Sequence, residues 1–271
     1  MKLSLRLFLL LEVILMLESC AQKQQRLSLV DAKVLAVSIK ENHEPLIDLR
    51  HQKTILFGAS PEIPNNKDYT KVRKTIYEKL LEAQKALPSR LRFCLYEGYR
   101  SLSLQKKLFN DRYNSLKITH PTWSHEKLFQ EATILVSPVI NLDESQNIPP
   151  HSTGGAIDIY LVDLEGKIID MGIKVEDWMK DKDGSLSQTL STKISENAQK
   201  NRLIMSRTLQ DVGFVNYSGE YWHWSYGDRY WARTSVGRNT RFMGASPNRL
   251  LRKFYSGAWN DYRKSLYISL F

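Results

Sequence analysis

An aspartate set in an otherwise apolar run, Ala156-Ile157-Asp158-Ile159-Tyr160-Leu161-Val162, constrains this chain more than any other feature. The run reads as a β-strand with Ile157, Ile159 and Leu161 on one face and Asp158 on the other, between Ala156 and Tyr160. A carboxylate in so apolar a strand is costly unless it is paired or binds metal. Seven residues upstream stands His151, and the intervening Gly154 and Gly155 permit a tight bend and close backbone approach. Further along, Glu220-Tyr221-Trp222-His223 supplies a second histidine and a spare carboxylate within an aromatic stretch that suggests an extended, core-packed segment. Zn²⁺ favours imidazole nitrogen and accepts carboxylate oxygen, so His151, Asp158 and His223 read as metal ligands that leave a fourth position for water. Glu220 reads as the general base beside them. Taken singly, each motif has a plainer reading. Asp158 could be salt-bridged to an arginine, and His223 could be a hydrogen-bonded histidine in an ordinary aromatic strand. Together they favour a hydrolytic metal site.

A third segment offers an electrophile. Leu91-Arg92-Phe93-Cys94-Leu95-Tyr96 reads as a strand, and a turn at Gly98 leaves Arg100 at its end, with Ser101 placed to cap the next helix. A fixed guanidinium there could polarise a carbonyl and steady a developing oxyanion. A surface ion pair is the default reading of such an arginine. Helical spacing predicts helices over Tyr69–Leu87, Ser101–Leu116 and Glu196–Val212, stopped by Pro88 in the first case and Gly213 in the last. Residues 117–150 read as a helix between loops, with His120 and His125 on the surface, and 179–195 as a mobile polar loop near the pocket. This order predicts an α+β fold, with helices packed on a central antiparallel sheet that bears the zinc site.

Glu97-Gly98-Tyr99-Arg100, His151-Ser152-Thr153-Gly154-Gly155-Ala156-Ile157-Asp158 and Glu220-Tyr221-Trp222-His223 follow one another in that order. Around them lie Asp170-Met171-Gly172, Asn201-Arg202, Val212-Gly213-Phe214 and Trp224-Ser225-Tyr226-Gly227-Asp228-Arg229-Tyr230-Trp231. From roughly Leu46 to Trp231 the chain resembles the D-alanyl-D-alanine dipeptidase family, the zinc peptidases that include the vancomycin-resistance dipeptidases. The resemblance implies one zinc ion per chain held by His151, Asp158 and His223, with Glu220 as catalytic base and Arg100 stabilising the transition state. It also implies a small D,D-dipeptide substrate whose amino group is bound by an acid after the Met-Gly pair. Glu176 sits at that offset, with Asp177 as runner-up. The chain departs from the family at Glu97 (usually Asp), Ser101 (often Pro), Pro149 (frequently Ser) and Val175 (an aromatic). None of these removes a ligand or the base. A D,D-carboxypeptidase or endopeptidase acting on peptidoglycan stem peptides is the alternative, and a non-catalytic wall-binding lipoprotein is a more distant one.

The ends of the chain read differently. Lys2 and Arg6 precede an apolar stretch typical of a secretory signal, and Leu17-Glu18-Ser19-Cys20 resembles a lipobox. Residues 1–20 are therefore expected to be a signal peptide of the lipoprotein type, with plain cleavage near Ala21 or an uncleaved anchor as the alternatives. Residues 21–45 read as a tether and lead-in, 46–232 as the peptidase domain and 233–271 as a basic, aromatic extension. The expected address is the periplasm, with membrane attachment through Cys20. The extension carries eight Lys or Arg against Asp261 alone, which is most of the formal charge of +10. It is either a surface for anionic polymer or an added helix with its basic face in water. Nucleic acid fits the charge but not the export signal. With Cys20 lipidated, Cys94 is left without a disulfide partner and reads as a buried apolar residue.

Overall fold

The computed structural model describes residues 27–59, 68–181, 184–235 and 245–246. The expected signal segment with Cys20 lies outside them, as does most of the extension. Ala245–Ser246 (β9) is described, paired antiparallel with Ser38–Ile39 (β1).

Leu56–Phe57 (β3), Arg92–Glu97 (β5), Ala156–Val162 (β6), Val215–Asn216 (β7) and His223–Ser225 (β8) form one sheet in the order β3-β5-β6-β8-β7. Three of its four pairings are antiparallel, and β3 lies parallel to β5. β6 runs through the middle and is buried over its whole length, which explains why it tolerates only one charged residue. Its apolar face joins Phe93, Leu95, Trp224 and Phe214 in the main core. After the short helix Ala32–Leu35 (α1), Lys74–Ala86 (α2) and Glu196–Asp211 (α5) add Ile76, Leu80, Met205 and Leu209 to that core.

The helix expected over Tyr69–Leu87 begins later. Lys71–Arg73 (β4) is a strand, paired antiparallel with Leu46–Asp48 (β2), and α2 starts only at Lys74. Cross-strand pairing overrides helical spacing at Val72, whose side chain is fully buried in the strand. The other two helices start within a residue of their expected positions. Ser101 accepts from Leu104 N at the head of Leu102–Thr119 (α3), and Ser195 accepts from Ala198 N at the head of α5.

After α3 comes His125–Ala132 (α4), which packs back on it. Phe109, Leu116, Leu128, Ala132 and Val136 form a second apolar cluster there, separate from the sheet core. The polar stretch expected to be a mobile loop is anchored between residues 184 and 191. Arg202, almost wholly buried, donates to the carbonyls of Leu186, Gln188 and Met171. Burial pulls its pKa down to about 10.

Candidate active site

The register of β6 against β8 sets Asp158 directly opposite His223. Both side chains are buried, as is that of His151. His151 arrives from a short 3-10 turn, Pro150–Thr153, that Gly154 closes in the left-handed conformation at φ 71°. The ring's Nδ1 lies 2.9 Å from the Gly98 carbonyl oxygen. A carbonyl can only accept, so Nδ1 carries the proton and Nε2 presents a lone pair to the site. Gly98 itself has no room for a side chain, because a Cβ would come within 2.3 Å of the Lys71 carbonyl oxygen. The turn after β5 thus orients the first histidine.

His151 Nε2 lies 3.2 Å from His223 Nδ1, and His223 Nδ1 lies 3.1 Å from Asp158 Oδ1. His151 Nε2 and Asp158 Oδ2 are 3.5 Å apart. Tetrahedral zinc with bonds of about 2.0–2.1 Å places its donors about 3.3 Å from one another. The three side chains therefore already stand at the spacing of one coordination sphere, and they form the metal-binding cluster found among the described residues. The donor types also suit a divalent ion, being two imidazoles and one carboxylate. Burial pulls the His151 pKa down, but the facing Asp158 carboxylate outweighs it and leaves the group above its ordinary value. Burial pushes Asp158 up, and the two histidines more than reverse this and hold it well below the usual carboxylate range. So concentrated an attraction for positive charge is what a cation site requires. His223 Nε2 is buried with no hydrogen-bond partner in the described residues.

Glu220 sits in the turn between β7 and β8. Its amide donates to the Tyr217 carbonyl at 2.9 Å, and its own carbonyl accepts from Asn216 Nδ2 at 3.0 Å. That turn leaves the carboxylate partly exposed, with Oε2 4.0 Å from His223 Nδ1. Arg100 reaches the same cavity from the end of β5. Its Nε donates to Glu97 Oε1 at 2.9 Å, a second nitrogen pairs with Glu97 Oε2, and Nη1 donates to Gln105 Oε1 at 2.9 Å. Glu97 is 1% exposed and stands opposite Asp158 in the ladder, beside an irregularity in the β5–β6 register. The arginine neutralises this second buried carboxylate, so Glu97 does not compete for a cation. An ion pair was the default sequence reading of Arg100, but on the surface; its buried partner Glu97, three residues earlier, and the role of Gln105 were missed.

A cavity of about 300 Å³ gathers Arg100, His151, Asp158, Glu220 and His223 with Trp222, Val175 and Trp178. Glu176 and Asp177 stand apart from these. They occupy a 3-10 turn, Val175–Lys180, where Glu176 is exposed and 3.7 Å from Lys174 Nζ, and Asp177 is 2.6 Å from Lys180 Nζ. It is their neighbour Val175 that lines the cavity.

The model of the D-ala-D-ala dipeptidase family matches residues 65–239, which include every residue of the site. The chain belongs to that family. Two D-alanyl-D-alanine dipeptidases illustrate the likeness, one from Synechocystis sp. at 36% identity over 90 residues and one from Escherichia coli at 36% over 73. These alignments cover 31% and 27% of this chain, and only 36% and 35% of the relatives' own length. Among solved structures, VanYB in complex with D-alanine-D-alanine aligns over 76% of this chain and 92% of its own, with 14% identity and a TM-score of 0.41. The LdcB LD-carboxypeptidase aligns over 73% and 76%, with 20% identity and a TM-score of 0.33.

Proposed function

We propose that this chain is a zinc-dependent peptidase that hydrolyses the peptide bond between two D-alanine residues, in peptidoglycan metabolism. The observation that carries the reading is the convergence of His151 Nε2, Asp158 Oδ1 and His223 Nδ1 beside a partly exposed Glu220, in a chain of this family. Bound among those donors, zinc would polarise the scissile carbonyl and acidify water to a pKa of about 7. Glu220 removes the proton of the attacking water and delivers it to the leaving amine. Arg100 faces the carbonyl oxygen and balances its developing charge, held in one orientation by Glu97 and Gln105. Trp222, Val175 and Trp178 form an apolar wall that limits water around the reacting bond.

Free D-Ala-D-Ala is the substrate the family name suggests. A peptide that ends in D-Ala-D-Ala is a second reading, favoured by one observation. The cavity continues past the metal ligands along α3 instead of closing over Glu176. Glu220→Ala separates chemistry from binding. Hydrolysis should fall by about 10²–10⁴-fold while zinc content stays at wild-type level; undiminished turnover would remove Glu220 from the role of base. The export signal and Cys20 belong to the same proposal, since peptidoglycan lies outside the cytoplasm. Metabolic labelling with a radioactive fatty acid should mark the wild-type chain and not Cys20→Ala.

A further inference from the structure

Beyond the metal ligands, the cavity runs along one face of α3. Gln105, Leu108, Arg112 and Ser115 line it at helical spacing, with Thr133 and Val136 across from them. Arg112 is the residue the proposed reaction does not use. It is half buried and lines the cavity; its Nε is buried in the wall, so its two terminal amino groups are the ones open to a ligand. Among the described residues its guanidinium makes no ion pair. The two other charged groups on this wall are already matched, Arg100 by Glu97 and Asp111 by Lys107 at 2.5 Å. The paired terminal amino groups of an arginine that lines a cavity without an ion pair present a net positive charge to whatever fills it. That charge favours a bidentate anion over water.

Its distance from the chemistry defines what that anion belongs to. Gln105 is bonded to Arg100, and Arg112 lies seven residues further along the helix, roughly 10 Å at the α-helical rise. An extended peptide covers that span in about three residues. The carboxylate of a free dipeptide, one residue from its scissile bond, falls well short. Under the proposed D-Ala-D-Ala cleavage only one residue follows the scissile bond, so whatever reaches Arg112 extends on the acyl side.

We infer that Arg112 forms an anion subsite for a peptide ending in D-Ala-D-Ala, receiving a carboxylate carried by the third residue on the acyl side of the scissile bond. This rests on the proposed cleavage, and it makes the substrate a longer acidic peptide in place of the free dipeptide.

The test uses the zinc-loaded full chain carrying Glu220→Ala, so that probes are not consumed. The probes are N-acetyl-glutamyl-glycyl-D-alanyl-D-alanine and its glutaminyl counterpart, with affinities read by titration calorimetry. The glutamyl peptide should bind at least about tenfold more tightly. Arg112→Gln should erase that preference and Arg112→Lys should retain part of it, with circular dichroism confirming that each variant is folded. Equal affinity for the two probes, or no binding of either, would overturn the subsite. Alanine release by the chain with Glu220 intact keeps the two ideas apart. A charge preference without hydrolysis sinks the peptidase reading and leaves the anion site standing, whereas hydrolysis without a preference sinks the anion site alone.

Discussion

The sheet that carries the metal ligands and the helical hairpin that walls the cavity are built on different principles. On the sheet, Asp158 and His223 are paired in register on adjacent strands, and the residues flanking them on β6 are almost wholly buried. A shift of one residue in that register would turn every side chain to the opposite face. The hairpin of α3 and α4 has its own small cluster around Phe109 and Leu128, detached from the main core. Its exposed neighbours Ile134 and Leu135 reach the cavity rim. The contrast assigns reaction chemistry to strand register and substrate length to a helix face that can change without disturbing the ligands.

Changes on the sheet should have the largest effects. His223→Ala should abolish both zinc binding and hydrolysis, whereas Leu108→Ala on the hairpin should leave zinc stoichiometry unchanged. Metal analysis of the two purified variants checks this, and zinc loss from Leu108→Ala would erase the distinction. Next comes Glu97→Gln, which strips the buried counter-charge from Arg100. Removing one partner of such a pair costs roughly 3–5 kcal/mol of stability, and loosening Arg100 should lower kcat about 10²-fold. Zinc content should hold, so thermal melting and kinetics must move while metal analysis does not.

Acid should act on the ligand end in a defined direction. His151 is held above its ordinary value in the metal-free protein, because Asp158 outweighs the effect of burial. Protons therefore compete with metal at higher pH than they would at a free imidazole. Chelator competition should show zinc affinity falling as the pH is lowered, with the fall beginning above the ordinary imidazole range. A flat profile would mean that His151 is not titrated on metal release. The smallest effect is expected outside the cavity. Glu176→Gln should change KM by less than about threefold, in keeping with an exposed ion pair. A much larger rise would show that Val175–Lys180 closes over bound substrate and brings Glu176 to its amino group.

The ligand end was the more legible of the two regions because its physics is local. One carboxylate in an apolar strand announces itself, and glycines beside a histidine mark a tight turn. The helix start at Ser101 was readable for the same reason, its side chain capping its own helix. What escaped depends on partners distant in sequence. Lys71–Arg73 became a strand because Leu46–Asp48 lies beside it. The Gly98 carbonyl that sets the His151 tautomer, and the Gln105 amide that steadies Arg100, are seen only once β5 and α3 meet the turn at His151. Arg112 carries no motif at all. Its position one and two turns after Leu108 and Gln105 places it on their face, but nothing in the sequence says that this face is hollow. Glu176 shows the converse. Its offset from Met171-Gly172 pointed to substrate binding, and the structure sets it outside the cavity wall with Lys174.

The central claim is that these buried donors make a zinc peptidase for D-Ala-D-Ala bonds. Alanine release from a D-Ala-D-Ala-terminated peptide, measured before and after chelation and again on zinc add-back, tests it most directly. Release should stop with the chelator and return with zinc. Release that persists in the metal-free protein, or none at all from a chain carrying one zinc, would contradict it.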